Sequence, residues 1–147
     1  MSKVFKIGIA KNNNQEIQEV KEITLSVGKG IIGDRYFHDH NESRKQLTLI
    51  ESENIDYYND KFNLKIPYLN FRRNIVTRGI KLNDLVGKEL LINRTKIKGV
   101  DLCRPCKQLQ KTLGLDNFIK EFLRKGGLRC EILTSTNIKA GDEIKVL

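Results

Sequence analysis

The sequence lacks tryptophan altogether and has only two prolines, two histidines and three cysteines among its 147 residues. Three is an odd number, and the start of the chain carries no recognisable secretory signal, so a disulfide framework is not expected. We expect free, metal-bound or catalytic thiols in a reducing cytoplasm instead. No apolar run approaches the roughly 18 residues of a membrane-spanning helix, and no membrane partner is predicted. A chain of this length predicts one domain, residues 1–147, with a core that needs no cross-links.

The sequence also lacks a dense basic block, although its formal net charge is +9, from 27 Lys and Arg against 18 Asp and Glu. Such a charge can favour nucleic-acid binding through phosphate contacts. The lysines are scattered, however, and few aromatic residues alternate with basic ones as a base-stacking surface requires. Nucleic acid is therefore not the predicted partner. Several arginines differ, because Arg35, Arg78, Arg104 and Arg129 each lie beside a glycine, an acidic residue or a cysteine. Guanidinium groups suit a phosphate or carboxylate held in a pocket.

The sharpest chemical signal is the pair Cys103 and Cys106, which stand at C-x-x-C spacing where a strand-like run gives way to a predicted helix. Pro105 suits the first helical position, where its missing N–H costs nothing. Cys106 would then lie in the first turn. The positive end of the helix dipole, with Arg104 and Lys107 alongside, favours the thiolate, which is the form that attacks electrophiles and binds metals.

Two further segments carry groups suited to anions. Residues 28–35 have three glycines in six positions, which permit positive φ and close approach of the backbone to a ligand, and they end in Asp34 and Arg35. Residues 71–79 combine β-branched residues with arginines. If they form a regular strand, alternation places on one face Arg73, Ile75 and Thr77, and on the other Arg72, Asn74 and Val76. An exposed basic edge strand is the alternative interpretation of this segment.

Short alternating runs separated by turn residues predict a mostly β fold of about seven or eight strands and about three short helices. Residues 4–10 and 19–27 are predicted to form a hairpin. Ser52 is predicted to cap the first helix, and the last helix is predicted to end at Gly126 and Gly127. Hairpins outnumber strand-helix alternations. A β-barrel-like or sandwich arrangement with antiparallel or mixed strands is therefore favoured over a doubly wound parallel sheet.

Together these segments resemble the molybdenum cofactor sulfurase C-terminal (MOSC) domain family. The matching blocks occur in the family's order over nearly the whole chain, at residues 30–35, 46–51, 72–79, 82–87, 103–106 and 126–129, leading to 141–143. The chain resembles a small stand-alone member. The resemblance implies a barrel of the MOSC or pyruvate-kinase-like type that holds a molybdopterin-type cofactor.

The resemblance also implies roles for individual residues. Cys106 matches the cysteine that ligates molybdenum in relatives that reduce N-hydroxylated compounds, and Cys103 has the weaker claim. A small-molecule substrate and a separate electron-donor protein are implied with that activity. Tyr36 stands where the family pattern has a histidine. Cofactor binding is implied for a set of polar residues, namely Asp34, Arg35, Arg72, Arg73, Asn74, Thr77, Arg78 and Arg129.

Three alternatives stay open at this stage. In the first, Cys106 holds a persulfide that Cys103 resolves, and the protein takes sulfur from a donor protein and delivers it for metal-sulfur cofactor formation. In the second, the three cysteines form a zinc site with His38 or His40, although a second C-x-x-C is missing. In the third, the basic surface binds nucleic acid or another acidic partner.

Overall fold

The computed structural model describes residues 1–105 and 107–147. Its strands are β1 (Lys3–Ile9), β2 (Gln18–Val20), β3 (Glu22–Ser26), β4 (Gly30–Ile31), β5 (Leu47–Glu51), β6 (Ile75–Arg78), β7 (Glu89–Ile92), β8 (Thr95–Leu102), β9 (Leu128–Ile132), β10 (Thr136–Lys139) and β11 (Ile144–Val146). The α-helices are α1 (Ser52–Phe62), α2 (Lys107–Leu113) and α3 (Phe118–Glu121), and three 3-10 helices span Ser43–Lys45, Tyr68–Phe71 and Leu82–Leu85. None of the described helices is long and apolar enough to cross a membrane.

Eight strands form one curled sheet in the order β11, β7, β8, β9, β5, β6, β1, β2, and a smaller sheet has the order β10, β3, β4. Strands β5 and β6 run parallel, whereas the other described pairs are antiparallel. The start of β1 also contacts the residues around the beginning of β11. The amide of Val4 donates to the carbonyl of Asp142 at 2.8 Å, and the amide of Ile144 donates to the carbonyl of Ser2 at 2.9 Å. This half-barrel confirms the prediction of a mostly β, barrel-like fold with few short helices.

The sheet is apolar on both faces, and neighbouring residues on one strand enter different clusters. Ile75 of β6 packs in the interior of the half-barrel, whereas the next residue, Val76, packs on the outer face. There it joins an aromatic cluster that includes Tyr58 of α1 and Phe118 of α3. Full burial of one such side chain stabilises the fold by about 1.5–3 kcal/mol. The helices therefore cover the outer face of the sheet.

The predicted strand over residues 19–27 is wrong as one element, because it divides at Lys21 into β2 and β3. Strand β2 completes the predicted hairpin with β1, but β3 leaves for the smaller sheet. There Ile23 pairs with Ile138 of β10, a strand that the sequence did not predict. Both side chains are buried in the main core, so burial of β3 against β10 accounts for the division.

The predicted strand over residues 71–79 is wrong in its first half. Phe71 is buried at the end of a 3-10 helix, Arg72 has a φ of +66°, and β6 begins only at Ile75. The left-handed conformation at Arg72 ends the 3-10 helix directly after the buried Phe71. Strand alternation therefore does not decide where the side chains of Arg72 and Arg73 point.

Candidate functional site

Two adjoining cavities open on one side of the half-barrel, and Arg35, Tyr36, Arg72 and Arg73 line both. We call the smaller, of about 200 Å³, the inner cavity, and the larger, of about 610 Å³, the outer cavity. Together they form the arginine cleft. Seven of the twelve residues that line the inner cavity are basic: Arg35, Arg44, Lys45, Arg72, Arg73, Arg104 and Arg129. No carboxylate is among its lining residues in the described part of the chain.

The glycine-rich loop places Arg35 at the junction of the two cavities. Gly33, with a φ of +91°, turns the chain so that the amide of Arg35 donates to the carbonyl of Ala10 at 2.7 Å. The carboxylate of Asp34 accepts from the amide of Ala10 and from Nη1 of Arg35, both at 3.1 Å. The side chains of this ion pair are 5% and 1% exposed for Arg35 and Asp34. Asp34 therefore fixes Arg35 and ties the loop to the end of β1.

Arg72 is held at the same junction by backbone carbonyls. Its guanidinium donates to Gln15 at 2.9 Å and to Asn13 at 3.3 Å, and its own carbonyl accepts from Nη2 of Arg35 at 2.9 Å. Burial and the nearby charge of Arg35 lower the pKa of Arg72. An arginine stays protonated at neutral pH despite such a shift. Arg35 and Arg72 are thus held in fixed positions where the two cavities meet.

Arg73 connects the cleft to the glycine pair that follows α3. Its Nε donates to the carbonyl of Gly126 at 2.8 Å. A Cβ on Gly126 would lie 2.6 Å from the carbonyl oxygen of Cys103, and the amide of Cys103 donates to the carbonyl of Gly127 at 2.8 Å. The sequence prediction that these glycines end a helix is wrong, because α3 ends at Glu121. They instead allow the backbone to pack against residues 103–105.

Asp101 organises a second group of cations in the inner cavity. Arg129 donates to its carboxylate through Nε at 2.8 Å and through Nη2 at 3.1 Å, which is a bidentate pair. Nη2 of Arg44 lies 2.9 Å from the same carboxylate. The side chain of Arg44 is 56% exposed, whereas that of Arg129 is 26% exposed. Asp101 thereby brings together arginines from the 3-10 helix Ser43–Lys45 and from β9.

Cys103 is the described thiol that lines the cleft. Burial raises the pKa of Cys103, and the charges of Arg73 and Arg129 lower it in part. Cys130 is completely buried, and burial together with the neighbouring Cys103 raises its pKa strongly. Both thiols are therefore protonated at neutral pH. Cys130 has no access to the cleft from its position in the core.

Cys106, the predicted metal ligand, lies outside the described residues. The chain on either side of it lines the cleft: Cys103 and Arg104 line the inner cavity, and Leu109 and Thr112 of α2 line the outer cavity. The predicted helix after the C-x-x-C is present over Lys107–Leu113, and Gly114 follows it with a φ of +69°. The cleft therefore adjoins both segments that flank this cysteine.

Asn74, Thr77 and Arg78, which the resemblance also implies, are not among the described residues that line the cleft. The side chain of Asn74 accepts from the amide of Thr48 at 3.2 Å and donates to β1, which ties three strands together. Thr77 donates to a carbonyl of β5. Arg78 lies over the ring of Phe5, at 3.6 Å from its centroid. Cofactor contact by Asn74, Thr77 and Arg78 stays a prediction, whereas Arg35, Arg72, Arg73 and Arg129 converge on the cleft.

Sequence reasoning did not find Arg44 and Lys45 as site residues. They lie in a polar segment that forms the 3-10 helix Ser43–Lys45. No local pattern indicates that Arg44 meets Asp101, because that contact depends on the pairing of distant strands. The two histidines that precede this 3-10 helix lie nearby, with Nε2 of His38 3.1 Å from the carbonyl of Lys45. Among residues 1–105 and 107–147 there is no group of three or more histidine, cysteine or acidic side chains that could hold a metal.

The structure is a small half-barrel domain whose cleft is lined by arginines and by the segments around a C-x-x-C. The sequence profile of the MOSC domain family matches residues 34–145, so the chain belongs to the MOSC domain family. This family is associated with the molybdenum cofactor. The family match confirms the resemblance predicted from the sequence blocks.

Solved structures share the fold over the whole chain. The YuaD protein from Bacillus subtilis is 19% identical with a TM-score of 0.85, over 99% of this chain and 96% of that one. YiiM from Geobacillus stearothermophilus is 14% identical with a TM-score of 0.82, over 100% of this chain and 75% of that one. YiiM from Escherichia coli is 16% identical with a TM-score of 0.71, over 99% of this chain and 68% of that one. A search of curated proteins gave no significant match.

Proposed function

We propose that this protein binds a molybdenum cofactor in the arginine cleft, with Cys106 as the ligand to molybdenum. The observation that carries the proposal is the convergence of Arg35, Arg72 and Arg73 on one cleft beside the segments that flank Cys106. Membership of the MOSC domain family supports it, because that family is associated with this cofactor. The protein would act as the catalytic component of a reductase of N-hydroxylated compounds.

The chemistry of the cleft fits the phosphate of a molybdopterin-type cofactor. Guanidinium groups bind phosphate through paired, charge-assisted hydrogen bonds. The hydrogen bonds of Arg35 to Asp34 and of Arg72 to backbone carbonyls fix these groups in advance, so little side-chain entropy is lost on binding. The outer cavity, of about 610 Å³, lies within the range of about 300–1,000 Å³ that is typical of small-molecule sites.

A cysteine thiolate at residue 106 would suit molybdenum, because soft sulfur ligands favour such metals. The predicted position of Cys106 at the start of α2, with cationic neighbours, favours the thiolate. Cys103 is less suited, since burial raises its pKa and keeps it protonated. We therefore assign the metal to Cys106 and a packing role to Cys103.

When bound, molybdenum would supply the oxygen-atom abstraction from an N-hydroxylated substrate. The chain itself would bind the phosphate through Arg35, Arg72 and Arg73 and hold the substrate in the remaining space of the cleft. Electrons would come from a separate donor protein in the cytoplasm.

Metal analysis of purified protein tests the proposal. The protein is produced in a host that makes the cofactor, and molybdenum per chain is measured for the native protein, Cys106→Ala and Arg72→Gln, with Arg94→Gln as a control for loss of charge. Arg94 lies in an exposed turn between β7 and β8. We expect molybdenum in the native protein and in the control and little in the other two. Native protein without molybdenum, or full content in Cys106→Ala, would contradict the proposal.

A second candidate function is sulfur transfer, with a persulfide on Cys106. It is favoured by Cys103, a second thiol that lines the same cleft three positions earlier and could resolve the persulfide. Intact-mass analysis of protein that contains no molybdenum would detect added sulfur, and its loss in Cys106→Ala would assign it to that residue. Unmodified native protein would exclude this function under the conditions used.

A further inference from the structure

The basic residues that line the inner cavity outnumber the carboxylates that pair with them. Asp34 pairs with Arg35, and Asp101 pairs with Arg44 and Arg129. In the described part of the chain, no carboxylate pairs with the side chains of Arg73, Arg104 or Lys45, which line the same space. Like charges held close together repel one another unless an anion joins them. This surplus therefore indicates a binding site for an anion.

Asp101 sets the positions of two of these cations without saturating them. Arg129 uses Nε and Nη2 for Asp101, and Arg44 approaches it through Nη2. A guanidinium has five N–H donors, so both arginines keep donors that Asp101 does not engage. Arg129 is held by two hydrogen bonds, whereas the exposed contact of Arg44 is of the kind that stabilises by about 1 kcal/mol or less. Arg44 can therefore turn toward an incoming anion at little cost, while Arg129 stays fixed.

The size of the inner cavity limits the anion to a small one. Its volume of about 200 Å³ is below the usual range of small-molecule sites, whereas the outer cavity falls inside that range. The two cavities meet at Arg35, Arg72 and Arg73, to which we assigned the cofactor phosphate. A cofactor held there would leave the inner cavity for another group.

We propose that the inner cavity is a subsite for a compact oxyanion, a phosphate or a carboxylate, carried by the substrate, and that Arg44 and Arg129 bind it. The binding of an oxyanion follows from the cavity itself, whereas its assignment to the substrate depends on the proposed molybdenum function. Substrates of this protein would then be anionic compounds.

Equilibrium dialysis with radiolabelled inorganic phosphate at low ionic strength tests the subsite, and competition with acetate distinguishes the two oxyanions. Loss of one charge-assisted contact in Arg44→Gln or Arg129→Gln should weaken phosphate binding about tenfold. Arg94→Gln removes the same charge from a distant turn and should leave the affinity unchanged. If Arg129→Gln does not fold, Arg129→Lys replaces it in this test, because lysine keeps the charge and most of the packing.

Molybdenum content separates this inference from the proposed function. We expect Arg44→Gln to keep the molybdenum content of the native protein while it loses phosphate affinity. If it loses both, the inner cavity holds the phosphate of the cofactor, and the inference is overturned while the proposed function stands. Phosphate affinity that is the same in all variants also overturns it. A native protein that binds phosphate in the inner cavity but contains no molybdenum overturns the assignment to the substrate together with the proposed function.

Discussion

Replacement of Gly126 by alanine should damage stability and the cleft together. The added Cβ would lie 2.6 Å from the carbonyl oxygen of Cys103 and 3.3 Å from its carbonyl carbon. Real Cβ atoms do not approach backbone so closely, and no flexible side chain can give way at this point. Residues 103–105 must therefore move outward, and with them the wall of the inner cavity. The carbonyl of Gly126 also positions Arg73 through a hydrogen bond of 2.8 Å.

The expected cost follows from overpacking of a tightly packed site, about 1–3 kcal/mol of the free energy of unfolding. For a chain of about this size, each kcal/mol lowers Tm by about 2–4 °C. Urea denaturation with an unchanged m value would measure the loss directly. Phosphate affinity, measured by dialysis on the folded variant, should fall as well because Arg73 and Cys103 line the inner cavity.

Gly87→Ala is a matched control for the loss of stability. Gly87 has a φ of +80°, and no atom lies within 4 Å of the place that a Cβ would take there. Alanine at this position costs about 1–2 kcal/mol through the left-handed backbone alone, at a site that does not line the cleft. The control should therefore be destabilised yet bind phosphate normally. Native-like stability, within about 0.5 kcal/mol, and native-like phosphate affinity in Gly126→Ala would refute the close-approach argument.

Three further predictions concern groups outside the cleft. Asn74→Ala leaves the amide of Thr48 and a carbonyl of β1 without their hydrogen-bond partner. The free energy of unfolding, measured in urea, should therefore fall by about 2–4 kcal/mol. A loss below about 1 kcal/mol would contradict the role of Asn74 in joining these strands. Burial raises the pKa of Cys130 in the folded state, so the unfolded chain loses the thiol proton at a lower pH than the folded chain. The free energy of unfolding should therefore fall by up to about 1.4 kcal/mol per pH unit above about pH 9. Cys130→Ala should reduce this slope, and an unchanged slope would exclude the thiol as its source. Arg78→Gln should lose the contact with Phe5, which stabilises the fold by about 0.5–1 kcal/mol, and should keep native phosphate affinity. Weakened phosphate binding would instead indicate a role for Arg78 in the cleft.

The sequence predicted the elements whose signals are local. Helix α1 lies where it was predicted, although Ser52 is its first helical residue and Glu51, not Ser52, is its N-cap. Helix α2 follows the C-x-x-C as predicted. The mostly β, barrel-like class followed from short alternating runs. Strand β10 did not, because its four residues have weak alternation and pair with β3 from the opposite end of the chain.

The site was predictable only where a motif marks it. Arg35, Arg72, Arg73 and Arg129 stand in blocks of the MOSC family, and the structure brings all four to one cleft. Arg44 has no such block, because its importance depends on an ion pair with a residue of β8. Conversely, the alternation expected of a strand does not hold at Arg72, because the backbone adopts a left-handed conformation there, directly after the buried Phe71.

The hydrogen bonds between residues 2–4 and residues 141–144 affect how the domain forms during synthesis. Residues 2–4 are synthesised long before their partners Asp142 and Ile144. Contacts so far apart in sequence form slowly and leave strand edges exposed in the meantime. Val4, which is buried in the finished core, cannot reach its final packing until these contacts form. We therefore expect that a nascent chain cannot complete the half-barrel, or accept a ligand in its cleft, until residues 141–144 have left the ribosome.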